Sequence, residues 1–241
     1  MRGASGFTLI EMAVVLVIVG LMLGGLLLPL SAQMDTRAYQ DTSKRLDEIK
    51  ETLIGFAMAN GRLPCPASNT SNGVEDPVGG GNCNHNYDGY IPAVTLGIGN
   101  VDVNGYALDG WGSSTVNRIR YAVTKNNANA FTTSNGMHNT GMATLAPDLY
   151  VCATGAGVNA NNCGTATPLT TSAVAIVFSE GKNAAVGGVG TDESKNYDSN
   201  QVFVSHEPSS ASAANGEFDD LVTWVSPSLL YSRMVSSGQL P

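Results

Sequence analysis

Basic residues are scarce in this chain. Lys and Arg number 12 against 20 Asp and Glu, and the formal net charge is −8. With no Lys/Arg cluster, non-specific attraction to a phosphate backbone is excluded, and no nucleic-acid partner is expected. Charge of either sign is thin, at 13% of 241 residues, and aromatics make up only 7%. Catalytic signatures are missing as well: no G-x-S-x-G, no HExxH and no phosphate-binding glycine loop occurs. His85, His138 and His206 lie far apart, and Ser205-His206-Glu207 is a neighbourhood rather than a triad. An enzyme is therefore not expected. Repeats of solenoid length are absent, which excludes a stacked-repeat architecture. What remains plentiful is glycine, 28 residues, with Asn, Ser and Thr, the composition of a loop-rich, β-containing domain.

One long apolar run stands against this background. Residues 7–30 (FTLIEMAVVLVIVGLMLGGLLLPL) are apolar or small except for Thr8, Glu11 and Pro29. A helix of about twenty such residues crosses a bilayer core, and Arg2 places the preceding segment on the cytoplasmic side. Glu11 is a lone carboxylate inside this run, costly in hydrocarbon, and so calls for a partner from outside the chain. Gly20 and Gly24 form a GxxxG, with Gly25 adjacent, which lets helices approach closely or loosens the helix together with Pro29.

The start of the chain resembles the prepilin signature of type IV pilins and type II secretion pseudopilins: a short leader ending in Gly6, then Phe7, Thr8, Leu9, Ile10 and Glu11, then the apolar stretch. Arg2 is the leader's only basic residue, fewer than such leaders usually carry. The resemblance implies cleavage after Gly6 by a membrane prepilin peptidase and methylation of the new terminus at Phe7. It gives Glu11 an assembly role, paired with the terminal amine of a neighbouring subunit. It also implies storage as a single-pass protein of the bacterial inner membrane, N-terminus cytoplasmic and head periplasmic. Further partners would be other pilin or pseudopilin subunits and an inner membrane assembly platform. The fold implied is α+β and pilin-like. A long N-terminal helix, its first half transmembrane and its second amphipathic, packs on a small antiparallel β-sheet domain.

The expected segments are a leader at 1–6, the membrane half of the helix at 7–30, the amphipathic half at 31–60 and a head at 61–241. Residues 32–60 lack proline, and Leu46, Ile49, Leu53 and Phe56 recur at helical spacing as one apolar stripe. Asn60-Gly61 reads as the stop. Residues 61–116 are turn-rich, and Asp109-Gly110-Trp111-Gly112 with Arg120-Tyr121 resembles the Asp-x-Trp-Gly…Tyr segment of major pseudopilins. Strands are predicted at 118–124, 149–153, 173–179, 201–205 and 220–225. Ser226 and Pro227 open a final short helix that Gly238 ends.

Four cysteines, Cys65, Cys83, Cys152 and Cys163, lie in the part expected to face an oxidising compartment, where disulfides are the default. Three connectivities exist; short-range closure favours Cys65–Cys83 and Cys152–Cys163. No CxxC pair or close His pair supports zinc. Asn84, Asn86, Asp88 and Gly89 echo half an EF-hand loop, but Thr95 stands where the closing Glu belongs, so a turn is the better reading. Major pseudopilins hold calcium in loops near their last strands. The resemblance therefore directs attention to Ser179–Asn183 and Glu217–Asp220, with no ligand residue assigned and no other cofactor expected. The function implied is that of a structural filament subunit. A second reading is a membrane-anchored binding subunit, a tip adhesin or substrate receptor, using loops 66–116 and 183–217.

Overall fold

The computed structural model describes residues 6, 8–112, 115–188 and 190–240, and of residues 23–30 the backbone alone. A single helix, α1 (Leu9–Asn60), opens the fold. Thr8 caps its start, and Gly61 ends it at φ 67°, a left-handed conformation that glycine adopts without a Cβ clash. Ala38, Thr42, Leu46, Ile49, Leu53 and Ala57 are buried along one side of α1 at spacings of three and four, with Ile54 beside them. The expected Phe56 is only half-buried; Ala57 takes the next buried position, and the Phe56 ring lies under the Arg62 guanidinium, 5.2 Å away.

The apolar start of α1 has no such partner. Every described side chain from Thr8 to Met22 is exposed, Leu9 at 92% and Leu21 at 73%. Among the described residues no helix is long and apolar enough to cross a membrane. The described apolar stretch, 9–22, falls short of the roughly twenty residues needed. The remainder of the expected span, Phe7 and the side chains of 23–30, including Gly24, Gly25 and Pro29, lies outside the described residues.

After α1 the chain is mostly irregular to residue 116, with β1 (Gly89–Tyr90) and α2 (Ala93–Leu96) as its short elements. Then follow β2 (Arg120–Val123), α3 (Asn126–Asn129), α4 (Gly136–Thr140), β3 (Leu149–Cys152), β4 (Pro168–Ala173), β5 (Ala175–Ser179), α5 (Glu193–Asn196), β6 (Val202–Val204), β7 (Leu221–Val225) and α6 (Pro227–Ser236). Four strands form an antiparallel sheet in the order β1-β2-β5-β7. This is the antiparallel sheet expected, but it is not alone. A second sheet, ordered β4-β3-β6, pairs β3 antiparallel to β4 and parallel to β6. The long excursion between β3 and β6 makes that parallel pairing topologically accessible.

All five residues of β5 are buried, because layers cover both faces of its sheet. Ala175 and Val177 join the core under α1 and α6, with Leu46, Leu53, Leu230 and Met234. Ile176 and Phe178 point the other way, to Leu149, Val151 and Phe203 of the second sheet; the Phe178 and Phe203 rings lie 5.5 Å apart. The order is helix, sheet, sheet. The Asp109-Gly110-Trp111-Gly112 turn closes the head onto α1. The Gly110 N–H donates to Thr42 Oγ1 at 2.8 Å, and a Cβ on Gly110 would stand 2.2 Å from the Ala38 carbonyl oxygen. Only glycine lets the two backbones meet there.

Candidate functional site

Two regions carry chemistry: the start of α1 and a buried group of acids under the loops before β7. At the first, Gly6 is exposed, and Phe7 lies outside the described residues. Glu11 occupies the first turn of α1 in a reciprocal cap with Thr8. The Thr8 N–H and the Thr8 hydroxyl both donate to Glu11 Oε2 at 2.8 Å, and the Glu11 N–H donates to Thr8 Oγ1 at 3.3 Å. This corrects the expectation that Glu11 finds no partner within its own chain. A capping box satisfies donors that every helix start leaves open, and the S/T-x-x-E spacing of Thr8 and Glu11 is its sequence signature. Among the described residues no hydrogen bond reaches the other oxygen, Oε1.

Cys65–Cys83 and Cys152–Cys163 are disulfide-bonded, with Cα separations of 5.4 and 5.6 Å. The first ties the segment after α1 to the 76–83 turn. The second ties the end of β3 to the loop that leads into β4. Beside the first lies an ion pair that sequence reasoning missed: Arg62 and Glu75 are both buried and bidentate, at 2.7 and 2.8 Å.

The second region joins three segments. Glu193 of α5, with Asp219 and Asp220 just before β7, bring one oxygen each within 4.8 Å of one another. Glu193 and Asp220 are buried and Asp219 is half-buried. Glu193 is held by the Asn183 amide at 3.0 and 3.2 Å and by the Asp219 N–H at 3.0 Å. One Asp219 oxygen, Oδ2, accepts from the Lys182 and Asn183 N–H groups. One Asp220 oxygen, Oδ2, accepts from Asn196 at 2.7 Å. The others, Asp219 Oδ1 and Asp220 Oδ1, are inaccessible to water and have no hydrogen-bond partner among the described residues. Among the described residues, Glu180 Oε1 and Asn183 Oδ1 are in the same state.

Electrostatics follow from that crowding. Burial, then Glu193 and Glu217, push Asp219 up to about 6. Burial raises Asp220 well above the usual carboxylate range, with Glu193, Asp219 and Glu180 adding to it. Burial likewise raises Glu180 to about 7, although Arg120 Nε lies 3.6 Å from it. The Tyr197 hydroxyl is raised by burial and by the charges of Glu180, Asp220 and Glu193. The lysines nearest in sequence pair elsewhere, Lys182 with Asp35 at 2.6 Å and Lys195 with Asp198 at 2.8 Å. The loops marked from sequence thus contribute Glu180, Asn183, Asp219 and Asp220. Glu193 carried no sequence signal, since α5 is a single turn in a low-complexity stretch.

The other candidates are structural. In the EF-hand-like segment, Asn84 bonds Asp76, Asn86 bonds the Val123 carbonyl and Asp88 faces His85; those side chains are spent on separate neighbours. His206 Nε2 meets Asp192 Oδ2 at 3.0 Å, and its ring stacks on Phe218 at 3.9 Å. Burial works against charge on Asp192, yet bonds from the Gly155 N–H, Thr154, Asn215 and His206 hold its carboxyl below the usual range. Ser205 takes no part in that arrangement. On loops 66–116 and 183–217 no aromatic side chain is exposed among the described residues, and the exposed large apolar ones are valines.

Residues 1–27 match the family described as the prokaryotic N-terminal methylation motif. That motif is the signature of type IV prepilins and pseudopilins. No curated protein and no solved structure matches the chain.

Proposed function

We propose that the chain is a structural subunit of a type IV pilus or type II secretion pseudopilus, stored in the inner membrane with its head in the periplasm. The methylation motif at residues 1–27 carries this reading. The prepilin peptidase would cut after Gly6 and methylate Phe7. The exposed face from Leu9 to Met22 would then be buried against other subunits, since apolar area of that kind is stable only in lipid or in an assembled core. In the stored subunit the cap from Thr8 shields Glu11. In the filament, Glu11 reaches the Phe7 amine of a neighbour and sets the register, a use of polar pairs with precedent in helical assemblies. The scarcity of exposed aromatics on the head loops favours a filament subunit over an adhesin or receptor.

Two measurements test this. Intact mass of the chain from cells with an active prepilin peptidase should show loss of residues 1–6 and gain of one methyl group. Retention of Met1 there would remove the basis of the reading. Glu11→Leu should be cleaved and stay in the membrane, yet enter sheared filaments far less than Glu48→Leu, a change on the solvated face of α1. Equal incorporation of the two would return the assignment to a membrane-anchored binding domain.

A further inference from the structure

We propose, on the filament reading above, that the cleft between α1 and the 207–219 loop receives Arg37 of the next copy of this chain, its guanidinium meeting the Glu207 carboxylate and the Tyr39 ring. The cleft holds about 600 Å³. Asp35, Tyr39 and Gln40 line it from the helix, Glu207 from the facing loop, and Trp111 and Phe218 add apolar surface. Past Tyr39 and Glu207 it continues into a second hollow beside Ser43, Asp47 and Leu221. Charge in the first hollow is one-sided. Asp35, Glu207, Glu217 and Asp219 face one ammonium, Lys182, which Asp35 already binds at 2.6 Å. The bond and charge of Asp35 raise that ammonium above its usual range, with Asp219 and Glu217 adding to it, so the field in the cleft is negative. Glu207 is exposed, and its carboxylate has no ion pair or hydrogen bond among the described residues.

Helix phase selects the occupant. Eighteen residues make about five turns, so that step carries Val14, Val15, Ile18 and Met22, on the side of Glu11, onto Ala32, Gln33, Thr36 and Gln40. Those four are exposed, and Thr36 and Gln40 line the cleft. A further step along the same side reaches Asp47 in the second hollow. The side of α1 that carries Glu11 thus runs without a break into the cleft, and a neighbour lying along Glu11 arrives there. Pairing of Glu11 with the neighbour's Phe7 amine offsets the two helices by four residues, about 6 Å. Arg37 of the next copy then comes level with Asp41, midway between the two hollows. A contact that repeats along a filament is head to tail, so each copy offers a different side of α1; Arg37 lies about 80° round from Glu11 by the 3.6-residue turn. Its charge is also free. Among the described residues Arg37 and Arg233 are the basic side chains with no ion pair, hydrogen bond or ring contact, and both are exposed. Lys44 pairs with Glu48, and Arg45 donates to the Gly99 and Asn100 carbonyls. A guanidinium can bind a carboxylate and lie on an aromatic face at once, which fits Glu207 beside Tyr39.

The test follows the full chain in cells that make the filament, as the ratio of sheared to membrane-held subunit. Arg37→Glu and Glu207→Arg should each lower that ratio about tenfold or more, because each sets like charges against one another in the cleft. Carried together in one chain, the two changes rebuild the pair and should return the ratio to within about twofold of wild type. Arg233→Glu, on α6, should leave it unchanged. The variants should melt with the wild type, since neither side chain has a partner in its own copy. Arg37→Gln and Glu207→Gln, which introduce no repulsion, should show the same loss to a smaller degree. Single changes that assemble like the wild type, or a double variant without recovery, would overturn the assignment. Loss in Glu207→Arg but not in Arg37→Glu would give the cleft to another cation and overturn it equally. Glu11→Leu in the same assay keeps the two readings apart. If it fails to assemble while the single changes pass, the cleft assignment falls and the filament subunit stands; if it assembles freely, both fall.

Discussion

Replacing Glu75 with Gln should destabilise the head more than any other single charge removal outside the acidic cluster. Arg62 and Glu75 are 7% and 4% exposed, and their two bonds measure 2.7 and 2.8 Å. Glu75 also accepts the Cys65 N–H and the Gly79 N–H, both at 3.1 Å. The glutamine keeps one acceptor oxygen and turns an NH₂ toward a guanidinium that has only donors. Breaking a buried pair from one side typically costs about 3–5 kcal/mol, because the remaining charge is left without compensation. For a chain of this length each kcal/mol lowers the melting temperature by about 2–4 °C, so a fall of roughly 6–20 °C is expected. The assay is thermal unfolding followed by near-ultraviolet circular dichroism with both disulfides intact. Glu48→Gln is the comparison; its partner Lys44 is 3.6 Å away and both side chains are mostly exposed, so a shift of at most a few degrees is expected. If Glu75→Gln moved the midpoint no further than Glu48→Gln, the buried pair would not be holding the 61–83 segment. Burial would then be a poor guide to charge energetics in this head.

Gly110→Ala forces a Cβ to within 2.2 Å of backbone on α1 and should cost about 1–3 kcal/mol in urea unfolding. Gly99→Ala, with nothing within 4 Å of its Cβ, should stay within about 0.5 kcal/mol; equal losses would mean that the Gly110 turn does not bear on the helix. Gly55→Ala, exposed and open in the middle of α1, should stabilise by up to about 1 kcal/mol, and a loss instead would reveal a packing role for that face. Removing Cys152–Cys163 by the double Ser variant should cost about 2–4 kcal/mol through the freed unfolded chain. An unchanged midpoint in non-reducing urea titration would contradict that estimate.

Local order was legible in the residues. Three- and four-residue spacing, the Asn60-Gly61 stop and the Ser226-Pro227 start describe helices whose hydrogen bonds close within a turn, so α1 and α6 follow from neighbours in the chain. Five strands came from β-branched runs for a related reason: a continuously apolar segment such as β5 has few places to go except between two layers. The S/T-x-x-E spacing of Thr8 and Glu11 is equally local, since the cap closes within one turn. Tertiary structure decided the rest. β4 buries only Ala173 of its six residues, so only pairing with β3 makes it a strand. The parallel β3–β6 pairing depends on where an excursion of about fifty residues returns. Ala57 rather than Phe56 continues the buried side of α1, while the Phe56 ring meets Arg62, next after the stop. Arg62 finds Glu75, and Glu193 finds Asp219 and Asp220, across irregular segments without periodicity. Composition records which charges such loops contain, but burial and partnership are properties of the folded surface, and no spacing along the chain encodes them.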